Sequence, residues 1–435
     1  MQPTTWPGSD RASVPTRTPF YGWVVLGVAA VAMVGTLPGR TQGLGLITEP
    51  LLTDLKIGRV DYAQLNLWAT LVGTAGAFGV GRFIDRAGSR VVLALVAAAL
   101  GAIVCWMSRA ATFTELAIAV TLTRALGQSA LSVVSIAMVG QWFVRRIDMA
   151  MAVYSVVMSI GFMIAFPVVG SIVQSAGWRA AWFGVGVTIF AGLVPLALLL
   201  VRNNPESIGL RPDGLEPGTH NQKPMNRNTE PGTRNPEPPG FTLWEALVTP
   251  AFWIFAGGAA LYGLVASGIG LFNESILAER GFGPEIYYQT LVVTAITGLA
   301  GNFAGGWLSR FMALNGLLAI SLLVLGIGLL VLPYVSSIGM AMGWATMMGL
   351  GGGLVMVLFF SVWPRVYGRR HLGHIQGVAQ AITVVASAVG PLLLATTVER
   401  TGSYAAMFNM LAAAVGVFAT GAVLVPMPSS PSTRN

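Results

Sequence analysis

The chain has 435 residues, 54% of them hydrophobic and 10% charged, with a mean hydropathy of +0.70 and a formal net charge of +8. Soluble domains use about 25% charged residues, so this composition excludes a soluble globular protein. Apolar stretches near 20 residues recur along its length, each long enough to cross a hydrocarbon core of about 30 Å as a helix; they mark an integral membrane protein, and such uninterrupted runs exclude a β-barrel.

The first 19 residues are polar and carry no apolar core or small-residue cleavage site, so the first hydrophobic segment reads as a retained helix. Membrane helices are predicted at 21–47, 62–82, 90–108, 115–140, 149–173, 179–201, 249–274, 287–308, 314–334, 337–363, 374–396 and 404–425. Residues 202–240 are rich in Pro, Gly, Asn and charge and read as a flexible cytoplasmic linker. The expected domains are therefore a six-helix bundle over 1–201, the linker, and a second six-helix bundle over 241–435.

With both termini placed in the cytoplasm, seventeen of the 25 Lys and Arg fall in inside segments and six in outside loops. That bias supports a multi-pass protein of the cell membrane in this orientation and explains the positive charge without a nucleic-acid partner. Arg40 and Arg124 are left over as cations within the membrane. The single cysteine, Cys105, removes disulfides and cysteine-based metal centres. His220, His371 and His374 lie in polar loop-like segments, so neither metal nor cofactor is expected.

The two halves repeat each other. GLGLITEPLL (43–52) matches GIGLFNESIL (268–277) at an offset of 225, and GWRAAWF (177–183) matches GSYAAMF (402–408) at the same offset. Arg145-Arg146 recur as Arg369-Arg370, and GRFIDR (81–86) recurs weakly as GGWLSR (305–310), both at 224. Parallel six-helix repeats about an axis along the membrane normal are a transporter architecture, with the solute site between the halves near mid-membrane.

GRFIDRAGSR (81–90) resembles the G-x-x-x-D-R-x-G-x-R loop of the major facilitator superfamily, between helices 2 and 3 as in that family. In that loop Asp85 would cap or pair at a neighbouring helix end while Arg86 and Arg90 hold the cytoplasmic surface. WPRVYGRRHLGHIQG (363–377), GPLLLATTVERTGSYAAMF (390–408), the PESIGLRPDG string (205–214) and Pro38-Gly39-Arg40 are similar to the branch containing monocarboxylate transporters and oxalate/formate exchangers. The helix 8 arginine and helix 11 lysine of that branch fall on Asn302 and Thr383 here. What remains similar is a basic residue just after a proline in helix 1, Arg40.

A cation at the centre of a lipid-exposed helix costs about 2.5–3.5 kcal/mol on insertion scales, so Arg40 should face a cavity or a partner. Its equivalent in the second half is Val265, so the fold does not demand the charge. Arg40 is expected to bind a substrate carboxylate, with Gln42 beside it; the alternative is an arginine that snorkels outward or locks a helix pair. Tyr154, Tyr262, Asn302, Gln380 and Thr383 are polar positions on helices 5, 7, 8 and 11 that would complete a small cavity.

Arg124 and Gln128 on helix 4 resemble the superfamily's R-x-x-x-G pattern with glutamine in the glycine's place. They stand, with Asp85, Arg86, Arg90 and Glu274, as candidates for coupling or gating. Glu49 and Glu274 are repeat equivalents near the outer helix ends, and symmetric placement favours a structural role for them. Protons remain an open coupling ion. GLGGGL (349–354) reads as close helix packing rather than a dinucleotide loop, since no strand precedes it.

The expected protein is an all-α, twelve-helix monomeric carrier of a small organic anion, not an enzyme. A single cavity cation matches a single carboxylate, so a lactate- or pyruvate-like monocarboxylate is expected. A carrier of a neutral or amphipathic solute and a transporter-like membrane sensor are the alternatives.

Overall fold

The computed structural model describes residues 20–75, 80, 83–84, 86–143, 146–210, 240–368 and 371–428. Among them there is no strand, only an isolated bridge between Gly240 and Gly368. Ten described segments are long and apolar enough to span a membrane. One of these, Met149–Leu200, holds two spans that part at Gly177 (φ +83°). Helix 2 is described over Arg59–Ala75. The protein is thus an all-α polytopic membrane protein of twelve helices in two pseudo-symmetric bundles.

Helix 1 is not continuous, as 21–47 had suggested. It runs through Gly22–Val34, tightens into a 3₁₀ turn at Leu37–Gly39, restarts over Thr41–Gly45, and again over Thr48–Leu55. Pro38 has no N–H to continue an i→i−4 ladder. Arg40, between the turn and the restart, is extended at φ −92°, ψ 151°.

Helix 4 joins Phe113–Thr123 to Ser132–Trp142 through a π-helical stretch, Arg124–Leu131. Such widened turns commonly mark functional sites. Helix 7 is Pro250–Glu279, helix 8 Pro284–Leu308, helix 10 Ile338–Tyr367 and helix 11 Leu372–Thr401.

The 225-residue register holds position for position in several places. Lys56 and Gly281, 225 apart, both end helices with positive φ (52° and 84°). Asp54 accepts hydrogen bonds from Trp178 Nε1 and Arg179 Nε, both 3.0 Å. Its equivalent Glu279 accepts from Ser403 Oγ and the Tyr404 amide, the equivalents of residues 178 and 179. An acid at the end of the first helix of each half therefore fastens the start of the sixth. Thr112 and Ser337, also 225 apart, cap helices by accepting the amides of Glu115 and Met340.

The halves meet along helices 2 and 11, helices 5 and 8, and helices 1 and 7. At the last of these the repeat-equivalent Gly45 and Gly270 touch: a Cβ on Gly45 would collide with the Gly270 carbonyl. Only glycine permits so close an approach of the two backbones. This contact lies on the side toward the end of the molecule where helices 1–2 and 7–8 connect.

Candidate functional site

A cavity of about 320 Å³ lies between the halves. The first half contributes Arg40, Thr41, Gln42, Thr70 and Gln128. The second contributes Tyr262 and Ser267 from helix 7, Gln380, Thr383 and Ser387 from helix 11, and Val355, Met356, Phe359 and Phe360 from helix 10. Arg40 is the only charged residue among the described lining residues.

Three contacts aim its guanidinium. Nε donates to Thr36 Oγ1 at 2.6 Å, Nη2 points at Met33 Sδ at 2.9 Å, and the plane sits 5.5 Å from the Phe162 ring centroid. The third nitrogen, Nη1, makes no hydrogen bond to a described residue. Neither Arg40 nor Arg124 takes part in an ion pair among the described residues. A guanidinium held by a hydroxyl, a thioether and a ring keeps its full charge for an incoming anion.

Arg124 lies behind the wall, 2% exposed. Nη1 donates to Thr41 Oγ1 (2.9 Å) and to Gln128 Oε1 (2.8 Å), and Nη2 to Asn66 Oδ1 (2.9 Å). Nε is buried without a partner. Two of the three groups that Arg124 grips, Thr41 and Gln128, face the cavity, so it positions that wall. Close contact makes this possible: a Cβ on Gly39 would overlap the Thr123 carbonyl and come within 2.7 Å of the Gln128 amide nitrogen.

Of the other sequence-predicted residues, Gln42, Tyr262, Gln380, Thr383 and Gln128 come together at the cavity with Arg40. Tyr154 is not among its lining; its hydroxyl bonds Ser135 Oγ at 2.8 Å, and that oxygen donates to the Ala29 carbonyl, tying helices 1, 4 and 5. Asn302 also lies elsewhere, at the tight seam of helices 8 and 10, with Oδ1 buried and unbonded. Gly349 and Gly353 form the other side of that seam, the close packing read into 349–354.

Asp85 lies outside the described residues. Arg86 is exposed, and the Arg90 amide donates to Asn203 Oδ1 at 3.1 Å, which docks the 2–3 loop on the end of helix 6. Glu274 is in a separate cleft of about 440 Å³ beyond the Gly45–Gly270 contact. Its symmetry mate Glu49 is paired with Arg59 at 2.6 Å, whereas Glu274 Oε2 is buried without a hydrogen bond. The two glutamates are equivalent in register but not in chemistry.

Residues that the sequence reading passed over are Thr41, Thr70, Ser267, Ser387 and the helix 10 face. Residues 352, 355, 356, 359 and 360 recur at helical spacing on one stripe, and Gly352 receives the Tyr262 hydroxyl against it. Thr41 follows Arg40 directly, which was the one available signal.

The comparisons with known proteins agree with this architecture. A bacterial homologue of the human lysosomal transporter Spinster, in an inward-facing and unoccupied conformation, matches with a TM-score of 0.67 at 16% identity, over 94% of this chain and 96% of that one. The same homologue in its occupied conformation matches with a TM-score of 0.64 at 15% identity, covering 94% and 97%. Monocarboxylate transporter 12-B of Danio rerio is 25% identical over 291 residues, 63% of this chain and 60% of that protein. The siderochrome iron transporter 1 of Ceriporiopsis subvermispora (strain B) is 25% identical over 176 residues, 38% of this chain. The matched regions span 60% and 32% of those two relatives' lengths. The Major Facilitator Superfamily profile matches residues 20–391, and the chain belongs to that superfamily.

Proposed function

We propose that this transporter moves a small monocarboxylate across the cytoplasmic membrane by alternating access, either facilitated or driven by a second gradient. The observation that carries the reading is the Arg40 guanidinium at the cavity surface, with Nη1 unbonded to any described residue and no carboxylate among the described lining residues. One accessible cation suits one carboxylate: a second negative group would find only neutral amides and hydroxyls, at a cost of several kcal/mol. Arg124 adds positive potential but its Nη atoms are already engaged. Similarity to a monocarboxylate transporter of Danio rerio supports the same class.

In this reading the bundles 1–201 and 241–435, joined by 202–240, rock about the cavity as a monomer with both termini cytoplasmic. The Gly45–Gly270 contact closes the outer side, and Glu274 with the Glu49–Arg59 pair forms the outer gate. The 2–3 loop, through Arg86 and Arg90, steadies the inner side.

Counterflow in proteoliposomes with a panel of labelled carboxylates, with and without a pH gradient, tests the proposal. Exchange of lactate or a related monocarboxylate in preference to oxalate is the expected result. Preference for oxalate, or exchange of a neutral analogue alone, would overturn it.

A further inference from the structure

The wall opposite Arg40 is more apolar than a three-carbon acid requires. Val355, Met356, Phe359 and Phe360 lie at i, i+1, i+4 and i+5 of helix 10, on one face. Phe360 is 57% exposed and Met356 50%, and both contribute to the lining of this open cavity. Tyr262 extends this surface from helix 7, its hydroxyl held against Gly352.

Large apolar side chains left open beside a binding site are uncovered surface that a ligand can cover. Lactate would span the cation and little else, leaving the rings facing water. A cavity of about 320 Å³ also sits within the range of about 300–1,000 Å³ typical of sites for larger organic ligands.

From this polarity we infer that the preferred substrate is an aryl-bearing monocarboxylate, its carboxylate on Arg40 and its ring on the Met356–Phe360 face; the inference rests on the carboxylate reading above. The lining also sets a limit on the rest of the molecule. Its described residues include no acidic side chain, so an α-ammonium group would enter without a counter-charge. The site therefore accepts an arylalkanoate and rejects the aromatic amino acid of the same shape.

The test is a set of dissociation constants for the purified full-length protein with 3-phenylpropionate, lactate and L-phenylalanine, repeated on Met356→Ser and Phe360→Ser. The two substituted side chains are about half exposed, and a cooperative melt of each variant confirms folding. 3-Phenylpropionate is expected to bind at least about tenfold tighter than either other compound. Each serine variant is expected to weaken 3-phenylpropionate binding by more than it weakens lactate binding, erasing most of the preference. Lactate binding as tightly as 3-phenylpropionate, L-phenylalanine matching it, or serine variants that keep the preference would overturn the inference alone. Binding of neither acid by the folded protein would overturn the carboxylate reading and this inference with it.

Discussion

The two halves share a backbone but not an interior. Where the first half places Arg40, Thr41, Asn66, Arg124 and Gln128, the positions 225 residues on hold Val265, Ala266, Leu291, Gly349 and Gly353. In the first half these residues form a hydrogen-bonded network around two guanidiniums. In the second, Val265 is fully buried, and Gly349 and Gly353 let helix 10 settle directly on helix 8. The fold is therefore satisfied by small and apolar residues at these five places. A polar network retained in one copy only, at a desolvation cost of several kcal/mol per ion, is not required by the shared backbone and fits the solute role proposed for it. Asp54 and Glu279 teach the converse: the same job recurs in both halves because the scaffold needs it twice.

The comparison can be broken most forcefully at Arg124. Arg124→Leu leaves Asn66, Gln128 and Thr41 without their shared donor, and a loss of about 2–4 kcal/mol in stability is expected from the orphaned buried acceptors. Thermal unfolding in detergent reads this as a lowered Tm; the equivalent Gly349 has no such network to lose.

A smaller effect sharpens the contrast at the closed end. Gly45→Val drives a side chain into the Gly270 carbonyl, so the closed contact cannot form without backbone displacement. Counterflow is expected to drop by more than about tenfold.

Glu274→Gln replaces a carboxyl whose Oε2 has no donor and which shares its cleft with Glu49. A gain of about 1 kcal/mol at neutral pH is expected, measured in the same melt. Glu49→Gln should instead lose about 0.5–1 kcal/mol, since Glu49 is the partner of Arg59.

The smallest effects test where the halves are alike. Asp54→Asn and Glu279→Gln each remove one helix-end fastening, and each is expected to cost about 0.5–1 kcal/mol. Markedly unequal losses would argue against equivalent scaffold roles.

Much of the architecture was readable because it is written twice. GLGLITEPLL and GIGLFNESIL announce the repeat but not the Gly45–Gly270 contact, since Gly43 and Gly268 match as well and pack instead against Leu37 and against Gly390 and Leu394. Arg40 was legible for a different reason: the cost of a charge in lipid leaves few innocent explanations.

The failures have physical causes too. Tyr154 and Asn302 have polar atoms that suit a cavity as well as a helix seam, and spacing alone does not say which way such a side chain faces. The helix 10 face was missed because Met356 and Phe360 have the same period whether they meet lipid, core or solute. Widening of helix 4 into a π segment at Arg124 has no reliable sequence signal; its consequence, a guanidinium gripping Thr41, becomes visible only with helix 1 broken at Pro38.

The central claim is that Arg40 takes the carboxylate. Dissociation constants of wild type and Arg40→Gln for the best-bound acid of the counterflow panel test it most directly, with a melt of each protein as the control for folding. Loss of a charge-assisted contact of about 1.5–3 kcal/mol predicts affinity about 10- to 100-fold weaker with the melt preserved. Unchanged affinity in a folded Arg40→Gln protein would contradict the account.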